Sequence, residues 1–166
     1  MVEDPTQDPS AKTSIILACH TIKDPRDLAE VIHLAAGFDA AVHLLGKSLR
    51  PDHPKVLRKL RSWRPALAES PERIEARLFP DFDGWLGEIR GGGFSLVAAV
   101  VEGGVCPWSR PTRGKIAVLF GEETHGLPPE ILAQCQHRWT IPLGPGGRFY
   151  TVGQAAALIL GGKPHG

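Results

Sequence analysis

Cysteine is scarce in this chain. Cys19, Cys106 and Cys135 are isolated and odd in number, which offers neither a disulfide framework nor a cysteine-based zinc site. The seven histidines fall into no metal-ligand spacing, so no metal is expected. No stretch approaches the ~20 apolar residues of a membrane span, and no cationic start leads into an apolar run. A soluble, cytoplasmic protein without a membrane partner is the expectation. There is no Gly-Lys-Ser/Thr phosphate loop, which argues against a nucleotide hydrolase, and no early Gly-x-Gly-x-x-Gly turn of the dinucleotide-binding kind. Neither sign of charge dominates: 19 Lys and Arg face 18 Asp and Glu, a formal net charge of +1 that excludes a large nonspecific cationic tail.

What is present is a chain of 166 residues with 42% hydrophobic and 22% charged residues, enough for one domain with a real core. Residues 1–13 are polar and proline-bearing and read as a flexible tail; residues 14–162 read as a single domain. Strand and helix patterns alternate. Ser14 to Cys19 is a continuous apolar run expected of a buried strand. Asp27 is placed to cap the following helix, with Glu30 completing a capping box and Gly37 stopping it. Further strands are expected at Ala40 to Leu45, Arg73 to Leu78, Phe94 to Val101, Lys115 to Phe120 and Trp139 to Leu143. Helices are expected at Pro54 to Trp63, Phe82 to Arg90, Pro129 to Gln136 and Thr151 to Leu160. The pattern predicts an α/β fold with a mainly parallel sheet. The last helix has little polar face, so it is either buried in the monomer or packed against a second chain.

The C-terminal block carries the strongest functional signal. One apolar strand runs into Phe120-Gly121-Glu122-Glu123-Thr124-His125-Gly126-Leu127, and a second stretch, Ile141-Pro142-Leu143, runs into Gly144-Pro145-Gly146-Gly147. Strand ends opening into glycine-rich loops suit a ligand that needs close backbone approach, although ordinary turns use glycine for the same reason.

Three stretches, Asp24 to Phe38, Val118 to Leu127 and Ile141 to Ala156, together resemble in order and spacing the motifs of the SpoU-like (TrmH-type) branch of the SPOUT RNA 2′-O-ribose methyltransferases. The resemblance implies a trefoil-knotted, mainly parallel sheet with helices on both faces, the knot being made by the final strands and helix. It also implies S-adenosyl-L-methionine as cofactor, tRNA or rRNA as partner and substrate, and a homodimer formed through the knot-side helices. On this pattern the cofactor would be held by Val100, Phe120, Gly121, Glu122, Gly126, Ile141, Leu143, Tyr150 and Val152. The reaction centre would draw on Asp27, His33, Glu123 and Thr151. The family's first motif carries an asparagine and, six positions on, an arginine, where this chain has Asp27 and His33; its last motif reads close to Ser-Leu-Asn, where this chain has Phe149-Tyr150-Thr151. A neutral His33 imidazole would be the proton acceptor. A non-catalytic RNA-binding relative, or a methyltransferase for another acceptor, stands as the alternative.

The expected RNA surface is separate from those motifs. Residues 47 to 64 hold seven cations, among them Lys47, Arg50, Lys55, Arg58 and Arg61, against Asp52 alone. Such a local excess attracts phosphate even in a chain of small net charge. Trp63 is a candidate stacking group, or a core tryptophan, and Arg148 is a further candidate RNA contact.

Overall fold

The computed structural model describes residues 14–109, 114–122, 125–143 and 150–162. Six strands form one sheet in the order β3-β2-β1-β5-β4-β6, every neighbouring pair parallel. The strands are β1 (Ser14–His20), β2 (Ala41–Leu45), β3 (Ala76–Phe79), β4 (Ser95–Ala99), β5 (Lys115–Phe120) and β6 (His137–Trp139). The α-helices are α1 (Pro25–Phe38), α2 (Pro54–Leu60), α3 (Pro65–Glu69), α4 (Phe82–Gly91), α5 (Pro129–Leu132) and α6 (Val152–Gly161), with a 3₁₀ turn at Pro71–Arg73.

Alternation along each strand divides the core in two. Leu17, Cys19, Val97, Ile116 and Val118 face α1, α2 and α6. Ile16, Ala18, Leu96, Ala98, Ala117 and Leu119 face α4 and α5. Helices therefore cover both faces, which is why the central strands are apolar without a break. α6 lies against α1, and Gly153 makes that contact possible: a Cβ there would stand 2.6 Å from Glu30 Oε2.

Several boundaries differ from the sequence reading for identifiable reasons. The cap of α1 is Asp24, whose carboxylate accepts from Arg26 N–H at 2.8 Å, because Pro25 fills the first helical position, where its missing N–H costs nothing. Asp27 lies inside the first turn and is buried, so it is not the cap. The helix runs past Gly37 to Asp39, which takes the left-handed conformation at φ 55°. α2 stops at Leu60 and α3 restarts at Pro65; the proline forces Arg64 to φ −136°, ψ 69°. β3 begins only at Ala76, since Pro71 to Arg73 forms the 3₁₀ turn, and its Leu78 is exposed. α5 is a single turn because Gln136 is drawn to β4: its N–H donates to Leu96 O and its side chain accepts from Leu96 N–H. β4 is likewise shorter than expected, spanning Ser95 to Ala99. β6 ends at Trp139; Pro142 brings no N–H to extend the ladder, and Ile141 and Leu143 turn to another use.

Beneath α4 the Trp85 Nε1–H donates to His43 Nδ1 at 3.0 Å, both side chains buried. Burial, reinforced by the Arg77 charge and opposed by Glu88, pushes the His43 pKa down to about 4. The neutral ring is the one that folds, so His43 contributes fully above its unfolded pKa of 6.5. That contribution is lost as pH falls from 6.5 to about 4, where the unfolded chain takes up a proton that the folded chain refuses. The expected loss is on the order of 2–3 kcal/mol across that window. Urea unfolding at pH 7 and pH 4.5 checks it, with His43→Gln reducing the dependence.

Candidate functional site: a cleft at the strand ends

In a parallel sheet all strand C-termini open on one side, and ligands collect there. On that side a cavity of about 260 Å³ lies beyond the ends of β4, β5 and β6, walled by α6. This is near the lower end of small-molecule clefts, ~300–1,000 Å³. Phe120 and Gly121 leave β5, Val100 follows β4, and Ile141 and Leu143 follow β6. Tyr150 and Val152 lead into α6. Each residue that the sequence assigned to the cofactor, including Glu122 and Gly126, is on the wall of this one cavity.

Local physics fixes the wall. Val100 N–H donates to Trp139 O at 2.8 Å and Thr140 N–H to Val105 O at 2.9 Å, which holds the loop after β4 against the end of β6. Gly126 N–H donates to Glu122 O at 2.8 Å, closing a tight turn in which Gly126 has φ +66°. Inside that turn Gly121 packs directly on the Gly126 and Leu127 backbone; a Cβ would stand 2.7 Å from Gly126 O. Tyr150 Oη–H donates to Pro142 O at 3.3 Å and ties the last two segments together.

Apolar side chains dominate the interior, and the described polar groups at its mouth are few. Glu122 Oε2 lies 3.4 Å from His125 Nδ1. The cavity thus suits a flat apolar group against aliphatic and aromatic walls, with the Glu122 carboxylate at the rim for polar parts. An adenosyl group would fit between these walls, beside the turn that Gly121 holds by packing on the Gly126 and Leu127 backbone.

The sequence missed part of the wall. Ala155 and Ile159 share a helix face with Val152, at spacings of three and seven, a signal that was readable once α6 was placed. Trp139 and Leu132 also line the cavity, which nothing local in the sequence announces.

Of the described residues assigned to the reaction centre, Asp27, His33 and Thr151 are not on the wall of this cavity. Glu123 lies outside the described residues, as do Arg148, Gly144, Gly146 and Gly147. Asp27 is buried in the first turn of α1, where its charge helps burial raise the Cys19 thiol to about 12. Thr151 caps α6: its hydroxyl accepts from Gln154 N–H at 3.2 Å while Gln154 Oε1 accepts from Thr151 N–H at 3.0 Å. His33, half-buried on α1, accepts a hydrogen bond at Nδ1 from Arg64 Nε–H, 3.1 Å away. A neutral imidazole has one acceptor nitrogen, and here it is occupied. Burial first and Arg64 second lower the His33 pKa, with Glu30 opposing. Both effects make His33 a poor free base. Lys47, Arg50, Lys55, Arg58 and Arg61 are all exposed, Arg50 pairing with Asp52 at 3.1 Å.

The fold and cleft define a parallel α/β domain with a candidate ligand site at the strand C-termini. The chain belongs to the SpoU rRNA Methylase family, whose model matches residues 14–161. No curated protein matches it. Among solved structures it is similar to one concerned with the 2-OH methylation of C/U34 on tRNA, at 22% identity over 89% of this chain and 91% of that one, with a TM-score of 0.75. It is similar to the SpoU methyltransferase AviRb from Streptomyces viridochromogenes in complex with AdoMet, at 20% identity, 92% and 60% coverage and a TM-score of 0.74. It also matches the AdoMet-bound rRNA methyltransferase from Sinorhizobium meliloti, at 21% identity, 89% and 54% coverage and a TM-score of 0.74. The chain therefore spans about 60% or less of the last two. At such identities the likeness is one of fold.

Proposed function

We propose that this protein transfers a methyl group from S-adenosyl-L-methionine to a ribose 2′-hydroxyl of tRNA or rRNA. The observation that carries the reading is the gathering of Val100, Phe120, Gly121, Glu122, Gly126, Ile141, Leu143, Tyr150 and Val152 around one cavity in a chain of the SpoU family. The cofactor supplies an electrophilic methyl group. The chain's own part is to bind and orient: apolar walls exclude water, Gly121 lets the Gly126–Leu127 backbone pack at the end of β5 and so shapes the wall, and Tyr150 is tied to Pro142 at the approach to α6. Positioning of this kind provides a large share of rate enhancement. The matching relative concerned with tRNA C/U34 makes tRNA the first substrate to try. A trefoil knot in the C-terminal segment, a homodimer packed through α6 and a cytoplasmic location belong to the same proposal. α6 supports the dimer, since Ala157 and Leu158, which do not line the cleft, remain partly uncovered.

The test is methyl transfer from labelled cofactor to bulk tRNA and rRNA, followed by digestion and mass spectrometry of the nucleosides. A 2′-O-methylated nucleoside is the expected product. A protein that binds RNA and cofactor yet methylates neither RNA pool would instead support the second reading, a non-catalytic RNA-binding relative. That reading is favoured by one specific contact, the engagement of His33 by Arg64.

A further inference from the structure

Pro65 has a consequence beyond ending α2. By forcing Arg64 out of helical backbone it swings that side chain across to α1, where Nε–H donates to His33 Nδ1 at 3.1 Å and Nη2–H to His33 O at 3.4 Å. Trp63 stacks on the same imidazole, centroids 5.1 Å apart and planes 26° from parallel, and Lys59 Nζ lies 5.1 Å from the Trp63 ring. Arg64 is thus gripped at two points, and among the described residues no further hydrogen bond holds its other guanidinium N–H groups. Among the described residues no Asp or Glu forms an ion pair with it.

A half-buried guanidinium held by a neutral ring, with no carboxylate partner, is an uncommon expense for a fold. A histidine and a tryptophan are spent on holding it still. The neighbouring helix α2 carries Lys55, Arg58 and Lys59 and no acid, so cations outnumber anions on this side of Arg64, with Glu30 on α1 the acid that acts on His33. A fixed, planar, bidentate donor in such surroundings matches a phosphate diester.

We infer that Arg64 is a phosphate contact for RNA and that His33 is the positioning residue that pins its guanidinium, with the exposed edge of Trp63 beside it. The inference rests on the reading that this chain binds RNA. It gives the histidine a task other than proton transfer: keeping a cation in one orientation by offering it an unprotonated nitrogen.

Binding of fluorescently labelled bulk tRNA, measured by anisotropy over a series of salt concentrations, tests it in the full-length protein, with thermal melts of every variant. Arg64→Gln is expected to weaken binding about tenfold and to reduce the log–log salt slope by about 0.7–0.9, the share of one phosphate. His33→Ala keeps the charge and loses the grip, so affinity falls a few-fold at an unchanged slope; His33→Gln, which can still accept from the guanidinium, restores it. Wild-type affinity and slope in a folded Arg64→Gln would overturn the inference while leaving RNA binding intact. Should Arg64→Gln fail to fold, Arg64→Lys decides: full wild-type affinity there would show that a pinned fork is dispensable and overturn it equally. Weakened binding of poly-glutamate with RNA binding untouched would assign the guanidinium to a carboxylate partner and also overturn it. A wild-type protein that binds no RNA at low salt would instead remove the reading beneath.

Discussion

Replacing Gly121 by alanine lowers affinity for S-adenosylhomocysteine by about 5- to 150-fold. The added methyl lands on the Gly126 and Leu127 backbone, 2.7 Å from Gly126 O, where no flexible side chain can step aside. Either the Glu122–Gly126 turn opens or β5 shifts at its end, and both displace Leu127 and Phe120 from the cavity wall. Overpacking of this sort costs about 1–3 kcal/mol, and each 1.4 kcal/mol is tenfold in affinity. Gly87→Ala is the control. Gly87 is exposed on α4 with nothing within 4 Å of its would-be Cβ, so alanine there leaves affinity unchanged and adds helix propensity. Calorimetric titration of the two variants checks the contrast; equal affinities would mean the Gly121 turn does not shape the ligand site.

Trp85→Ala is expected to cost about 3–5 kcal/mol of stability. Trp85 is fully buried between α4 and the sheet, and it also supplies the N–H that His43 accepts. Its loss leaves a cavity and a buried ring nitrogen without its donor, two penalties that add. For a chain of this length the melting temperature should drop by roughly 10 °C or more. Trp85→Phe narrows the comparison: it removes the donor and the indole's extra ring atoms but keeps a six-membered ring in place, so about 1–3 kcal/mol should be lost. Urea unfolding measures both. Wild-type stability in Trp85→Ala would show that the α4 face of the sheet contributes little to the fold.

The central strands were readable because burial on both faces leaves an unbroken apolar run, as in Ser14 to Cys19 and Lys115 to Phe120. Ends were less readable, because they depend on partners remote in sequence. Gln136 ends α5 through a bond to Leu96, and Arg64 leaves the helix because of Pro65. Asp24 and Asp27 compete for one cap, and Pro25 decides between them. The loops of the candidate site were legible through motif resemblance, and all the assigned cofactor residues share one cavity. The α6 contribution required knowing which helix face turns inward, while the His33–Arg64 pair joins residues 31 positions apart and leaves no local trace. The same pair explains why a motif position read as a base serves here as a hydrogen-bond acceptor for an arginine.

The most direct test of the account is calorimetric titration of S-adenosyl-L-methionine and S-adenosylhomocysteine into the purified wild-type protein, with its oligomeric state measured in the same sample. Saturable binding at one site per chain, competed between the two ligands, is the predicted result. A folded protein that takes up neither would contradict the assignment of the cleft at the ends of β4, β5 and β6 to the cofactor.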